Sequence, residues 1–399
     1  MSKTVRKNTA QLASPTYRHI ASIDLMRGLV MVLMALDHVR GFFTDVDFSS
    51  TDLARTSAAL FFTRWVTHLC APAFVFLAGT SAFLSATHGL DRSQLARRLF
   101  ARGLWLVLLE LTAVHLAWTF NPDFSQIWLG VIWALGWSMV ALAALIYLPV
   151  RVIAFIGIGM ILVHNFFDDV RLEDFQTVEG LLNWQGWLIS VLHIPYSPVG
   201  YPLIPWIGVM AAGYAFGPFM LMTPEERKRI TLRWGLILIA IFIVLRAING
   251  YGDPAPWFRQ ETGLFTALSF LNTTKYPPSL LYLLMTLGPM LVLLSAFERW
   301  PGRQDALARL LIVFGRVPLF FYLLHLYAIH GLVLVFAFLM TGDAHSFLAP
   351  SWTFPSWWGF SLPAVYLIWI GVVLLLYPAC RWFAAVKFRH KGAWWTPYI

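Results

Sequence analysis

The stretch HIASIDLMRGLVMVLMALDHVRGFF, residues 19–43, is apolar enough from Ile20 to Phe43 to cross a bilayer, yet it carries Asp24, Arg27, Asp37, His38 and Arg40. A charge at the centre of a membrane helix costs about 2.5–3.5 kcal/mol on insertion scales, so such charges face protein or a water-filled cavity and mark function. At about 100° per residue, Arg27 and His38 return to within roughly 20° of each other and Asp24 lies about 60° from Arg27, so one face carries all three. A rise of about 1.5 Å per residue separates Asp24 from His38 by some 20 Å, most of the way across a core of about 30 Å. This face reads as a polar conduit or site. The competing reading is an inert Asp24 and Arg27 pair with Asp37 to Arg40 snorkelling to an interface.

Working outward, the 399 residues are 59% hydrophobic, 16% aromatic and only 12% charged, with mean hydropathy +0.67. Soluble domains are about a quarter charged, so the chain is an all-α polytopic membrane protein. About ten spans are expected, at 20–43, 67–86, 100–120, 127–148, 151–167, 199–220, 231–249, 277–297, 310–340 and 361–383. The short 151–167 and the long 310–340 are the weakest, and an eleventh span would follow if the latter hides two. Residues 1–19 then form an N-terminal tail, 20–383 a single membrane domain, and 384–399 a C-terminal tail. The basic N-terminus has no A-x-A-like exit after the first apolar run, so that run is expected to be retained.

If the N-terminus is cytoplasmic, most of the 29 basic residues fall in the tails and in the inside connections near 92–102, 151, 227–233 and 299–309, while the outside connections are acidic. This bias fits an even number of spans with both termini inside. The net charge of +9 is thus an orientation signal, and its dispersal argues against a nucleic-acid partner. Cys70 and Cys380 fall at opposite ends of their spans and are expected to be two buried thiols. Trp184, Trp187, Trp257, Trp352, Trp357 and Trp358 are expected at the outer interface.

His38, His68, His115 and His164 all fall toward the outer leaflet, and His325 and His330 lie in the ninth span. With Asp37 beside His38 and Glu110 deeper in the third span, a general base with an orienting carboxylate is readable, because imidazole titrates near neutral pH. No metal is expected, since these pairs lack an i, i+4 spacing with an acidic third ligand. In the second span Gly79, Thr80 and Ser81 allow either close helix packing or room for a ligand, and Pro72 loosens the backbone after His68. Arg316 sits at the level of Arg27, so two guanidinium groups could hold a phosphate or carboxylate. The competing reading is a structural bridge in which Asp24 neutralises Arg27 or Arg316. Lys275 and Tyr276 precede Pro277 and Pro278 at a helix start expected to be rigid, where Lys275 suits an acidic or hydroxyl-rich ligand.

SIDLMRGLVMVLMALDHVRGFF (22–43), APAFVFLAGTSAFL (71–84), YPLIPWIGVMAAGYAFG (201–217), FLNTTKYPPSLLYLLMTLGP (270–289) and GRVPLFFYLLHLYAIH (315–330) resemble the bacterial membrane proteins grouped with the catalytic domain of heparan-α-glucosaminide N-acetyltransferase. The resemblance implies a transmembrane acyltransferase in the bacterial inner membrane. It would move an acetyl group from cytoplasmic acetyl-CoA, or another acyl-CoA, to a sugar, glycan or lipid-linked acceptor on the far side, among membrane lipids and as a monomer or homodimer. In the lysosomal enzyme the catalytic histidine lies in the first non-cytoplasmic loop; the matching loop here, about 44–66, has none. That role then moves to His38 or His68. The expected assignment is His38 as base, Asp37 as its orienter and His68 as a second proton carrier or oxyanion donor, with Arg27, Arg316 and Asp24 at the coenzyme. Lys275, Tyr276, His115, Glu110 and His330 would meet the acceptor. A proton-coupled carrier of a small polar or anionic solute is the alternative, since polar stripes and intramembrane histidines also describe such proteins.

Overall fold

The computed structural model describes residues 20–399 except 88, 124–126, 178–180, 301–304, 391, 397 and 399. The N-terminal tail expected over 1–19 lies outside the described residues. Among the described residues fifteen α-helices run in order: α1 (Ala21–Phe43), α2 (Ala58–Thr67), α3 (Cys70–Ala86), α4 (Arg92–Leu109), α5 (His115–Thr119), α6 (Val131–Leu145), α7 (Val150–Val163), α8 (Trp184–Leu192), α9 (Leu203–Phe216), α10 (Pro224–Ile248), α11 (Gly263–Leu271), α12 (Leu280–Phe297), α13 (Ala306–Arg316), α14 (Pro318–Thr341) and α15 (Leu362–Arg389). Among the described residues there is no strand, and eight helical stretches are long and apolar enough to cross a membrane.

Each of the ten expected spans is occupied by helix, but the charged α1 and the 15-residue α6 are not among the eight long apolar stretches, and others differ in detail. The 310–340 segment breaks at Val317, because Pro318 starts a new helix at its first position. Eleven residues of α13 rise only about 16 Å, short of a bilayer core. The second span begins earlier, at α2, and is interrupted at His68 and Leu69. Pro72 has no amide to offer the His68 carbonyl, which instead accepts the Tyr282 hydroxyl at 2.8 Å. The last helix runs past 383 to Arg389. Before α12 the helix starts not at the prolines but at Leu280, where the Ser279 hydroxyl accepts from the Tyr282 amide at 3.0 Å.

Burial explains how α1 carries its charges. It packs against α3, α12, α13, α14 and α15, so it is the axis of the bundle rather than a lipid-facing helix. Its closest neighbour is α13. A methyl group on Gly28 would fall 1.9 Å from the Leu311 carbonyl oxygen, and one on Gly315 would fall 1.9 Å from that of Asp24. The packing reading of Gly79 holds in the same way, since its face meets the Met210 carbonyl, while Thr80 donates to the Gly213 carbonyl at 2.9 Å. Cys70 and Cys380 are both buried and unbridged. Of the expected interfacial tryptophans, Trp184, Trp187, Trp352 and Trp357 are exposed, whereas Trp358 is core. Its indole donates to the Phe42 carbonyl at 2.8 Å, which ties the loop before α15 to the end of α1.

Candidate active site

The two ends of α1 build two different sites. At its N-terminal end a cavity of about 460 Å³ opens between α1, α3, α4, α6, α14 and α15, within the size range of small-molecule sites. Its polar end carries Arg27, Arg98, Arg102, Arg316 and Lys387 against the single carboxylate Asp24. Asp24 stands between two of these cations, 3.8 Å from Arg27 and 3.5 Å from Arg316, and Arg27 also donates to the Ser81 hydroxyl. The Arg102 Nε is buried with no hydrogen-bond partner among the described residues, although a buried donor ordinarily finds one. The rest of its lining is largely apolar, with Met31, Met34, Leu106 and Met139 among it, and it includes Tyr322. The expected pair of arginines is therefore part of a group of five cations. Arg98 and Arg102 were legible only as inside-loop charges, yet four residues apart on α4 they share a face.

Tyr322 leads to the second site, because its ring meets the His38 ring edge-on at 6.1 Å. The partner of His38 is His325, not Asp37. His325 Nδ1 lies 2.9 Å from the Phe321 carbonyl oxygen, which can only accept, so that nitrogen carries the proton. The bare Nε2 then accepts from His38 Nδ1 at 2.7 Å. In the neutral dyad this network leaves His38 Nε2 as an unprotonated nitrogen. His325 is fully buried and its ring stacks between those of His38 and Phe321, which fixes the orientation of the pair.

Asp37 is spent on cations. It accepts from Arg40 at 3.0 Å, from the Thr67 hydroxyl at 3.1 Å and from Arg64, and Arg40 goes on to Ser50 at 2.8 Å. Two arginines and one carboxylate leave this cluster net positive. His68, buried beside the Tyr282 ring at 5.4 Å, makes no hydrogen bond through Nδ1 among the described residues.

The loop bearing Lys275 and Tyr276 closes the same end and is held by half-buried Asp253 and buried Arg246, which sequence reading missed. Asp253 accepts from the Thr274 amide and hydroxyl at 2.8 and 2.9 Å and from the Ser279 hydroxyl at 2.6 Å. Arg246, only 1% exposed, donates to the carbonyls of Phe270, Ala255, Ser269 and Asn272. Lys275 lies over the Tyr276 ring, and the Tyr276 hydroxyl is 3.5 Å from that of Tyr201. Burial raises the Tyr276 hydroxyl, but the Lys275 and Arg64 cations outweigh it and bring it down to about 8.

Three expected acceptor residues are turned to backbone instead. Glu110 takes the amides of Gly130 at 3.0 Å and Trp133 at 3.1 Å. It thus serves as a carboxylate cap on the N-terminus of α6, where helix dipole and free amides favour it. It opens a π-helical turn, Glu110–Val114, that joins α4 to α5. His115 Nε2 meets the Asp123 carbonyl at 3.1 Å. His330 lies between the Ala117 and Phe347 carbonyls at 3.0 and 2.7 Å.

Compared with known proteins, the sequence matches the family described as heparan-alpha-glucosaminide N-acetyltransferase, catalytic, over residues 19–245. That stretch is more than half of the 399 residues. It includes α1 and the α4 arginines and ends before the segments that bring Tyr276 and His325. Comparison with curated proteins gives no match.

Proposed function

The chain belongs to the heparan-alpha-glucosaminide N-acetyltransferase catalytic-domain family, a transmembrane acetyltransferase kind of protein, and from that premise we propose that it transfers an acetyl group from acetyl-CoA to an acceptor amine or hydroxyl across the membrane. The observation that carries this reading is one cavity that combines a cationic group with apolar lining and with Tyr322, whose ring meets His38. Phosphates of the coenzyme suit Arg27, Arg98, Arg102, Arg316 and Lys387, since guanidinium forks bind them bidentately. The apolar lining suits the pantetheine arm and would bring the thioester to the dyad. The distribution of basic residues supports a cytoplasmic donor side, with Lys275, Tyr276, Arg40 and Arg64 facing an acceptor from the opposite side.

In the reaction, the acceptor nitrogen or oxygen attacks the thioester carbonyl carbon. Its proton passes to His38 Nε2, the new C–N or C–O bond forms, the C–S bond breaks, and the departing thiolate takes the proton. His325 holds the base in the productive tautomer through Nδ1. Asp37 keeps Arg40 and Arg64 in place at the acceptor end. Purified protein given radiolabelled acetyl-CoA and glucosamine as probe acceptor should release CoA thiol and label the amine. Bound but intact acetyl-CoA, with solute flux in proteoliposomes, would overturn this reading in favour of a carrier.

Two expected outcomes follow from the charges. Arg102→Ala should raise the KM for acetyl-CoA about 10- to 100-fold, the loss of a charged hydrogen bond of roughly 1.5–3 kcal/mol, with a much smaller change in kcat; steady-state kinetics at varied acetyl-CoA checks this. For Tyr276, the neutral hydroxyl donates and the ionised one does not, so the KM for the acceptor should rise as pH passes upward through about 8. Tyr276→Phe should start with a raised KM and lack that inflection. An unchanged inflection in the variant would remove Tyr276 from the site.

A further inference from the structure

Away from both ends of α1, His164, Asp168 and His193 each present one ligand atom within 4.8 Å of the others. His164 follows the last residue of α7, Asp168 closes the 3-10 turn His164–Phe167 that comes next, and His193 follows α8. His193 Nε2 is 3.1 Å from Asp168 Oδ1, and the His164 and His193 rings lie 5.5 Å apart. An ion pair between His193 and Asp168 would account for two of the three. It leaves His164, 1% exposed, with both ring nitrogens lacking any hydrogen bond among the described residues, and the His193 Nδ1 in the same state. Buried polar groups ordinarily find a partner, so an imidazole with two such nitrogens beside a carboxylate calls for a missing ligand.

We propose that His164, Asp168 and His193 bind a divalent first-row transition metal ion, with zinc the ion their chemistry suits best. Two neutral imidazoles and one carboxylate are a recurrent zinc donor set, with the fourth position open to water. Calcium and magnesium prefer all-oxygen shells, and the site offers no thiolate for a soft ion. In a tetrahedral zinc site the donors lie roughly 3.3 Å apart, which His193 and Asp168 already match and a modest rotation of the His164 ring would complete.

The surroundings are those of a supported site. The second carboxylate oxygen of Asp168 accepts from Asn165 Nδ2 at 2.7 Å, and Asn165 Oδ1 accepts from the Leu280 amide at 2.9 Å. The Asn165 amide is thereby fixed, and it orients the carboxylate as outer-shell partners of metal ligands do. The ion would pin the end of α7 to the connection that leads from α8 to Tyr201, while Asn165 reaches the start of α12 just after Tyr276. Metal at this place would therefore brace both halves of the Tyr201 and Tyr276 pair. The i, i+4 spacing of His164 and Asp168 is visible in the sequence. The third ligand, 25 residues further on, is not.

The test uses full-length protein with its affinity tag removed, stripped by a chelator and titrated with Zn²⁺ against a competing indicator. One equivalent should bind, the melting temperature should rise on loading, and X-ray absorption should report nitrogen and oxygen donors without sulfur. His164→Ala and Asp168→Asn should weaken the affinity at least a hundredfold, while His345→Ala, an exposed histidine elsewhere, should leave it unchanged. Stripped wild-type protein that takes up no stoichiometric zinc, or variants that bind as tightly as wild type, would overturn the proposal. Because the wild-type measurement stands alone, a variant that fails to fold does not rescue it, and no readout depends on acetyl transfer.

Discussion

Replacing His38 with alanine is expected to cut acetyl transfer by about 10²- to 10⁴-fold, the span that a positioned general base contributes, while the protein still elutes as a single species. The expectation rests on geometry. His38 meets the ring of Tyr322, which lines the cavity, and its Nδ1 proton is committed to His325, so Nε2 is the nitrogen left to act. His325→Ala should cost less, about 2- to 10-fold, the loss of one neutral hydrogen bond of roughly 0.5–1.5 kcal/mol. His325→Gln should restore part of this loss, since a carbonyl oxygen can accept from Nδ1. The double variant should be no slower than His38→Ala alone, because the two residues act through one nitrogen. Rates for each variant, measured beside a melting curve, separate chemistry from folding. Full activity in His38→Ala would remove the dyad from the mechanism.

The largest expected effect on stability is at the seam between α1 and α13. Gly28→Ala or Gly315→Ala places a methyl carbon 1.9 Å from a main-chain carbonyl oxygen, far inside van der Waals contact, and no side chain can yield to relieve it. The helices must separate, and overpacking of this kind costs about 1–3 kcal/mol and sometimes more. α1 is the axis on which α3, α12, α14 and α15 also pack, so the displacement would spread to the cavity rim, where Gly315 and Arg316 lie. The yield of folded protein and its melting temperature in detergent should both fall sharply. Gly41→Ala is the control: a methyl there meets nothing within 4 Å, and in a helix interior the change should stabilise by about 0.5–1 kcal/mol.

Much of this architecture was legible in the sequence because hydropathy and helical period are local signals. The helices fall where the apolar runs lie, and the charged face of α1 pointed to a helix enclosed by protein. What escaped was long-range pairing. Asp37 is adjacent to His38 in the chain, but neighbouring residues on a helix point about 100° apart, and Asp37 turned to Arg40, Arg64 and Thr67 while His38 found His325. Glu110, expected as an orienting carboxylate that meets the acceptor, instead caps α6, because a carboxylate near a helix start is drawn to the free amides there. Arg102 and Lys387 looked like orientation charges at helix ends. Only the folding of α4 and α15 around one cavity shows that they join Arg27 and Arg316.

The central claim is that this cavity is the donor site and that it delivers the thioester to His38. A cryo-EM map of the protein with a non-hydrolysable acetyl-CoA analogue tests it most directly. Density for the phosphates is expected among Arg27, Arg98, Arg102, Arg316 and Lys387, with the acyl end beside Tyr322 within reach of the His38 ring. Coenzyme density at any other place, or a saturated sample with this cavity empty, would contradict it.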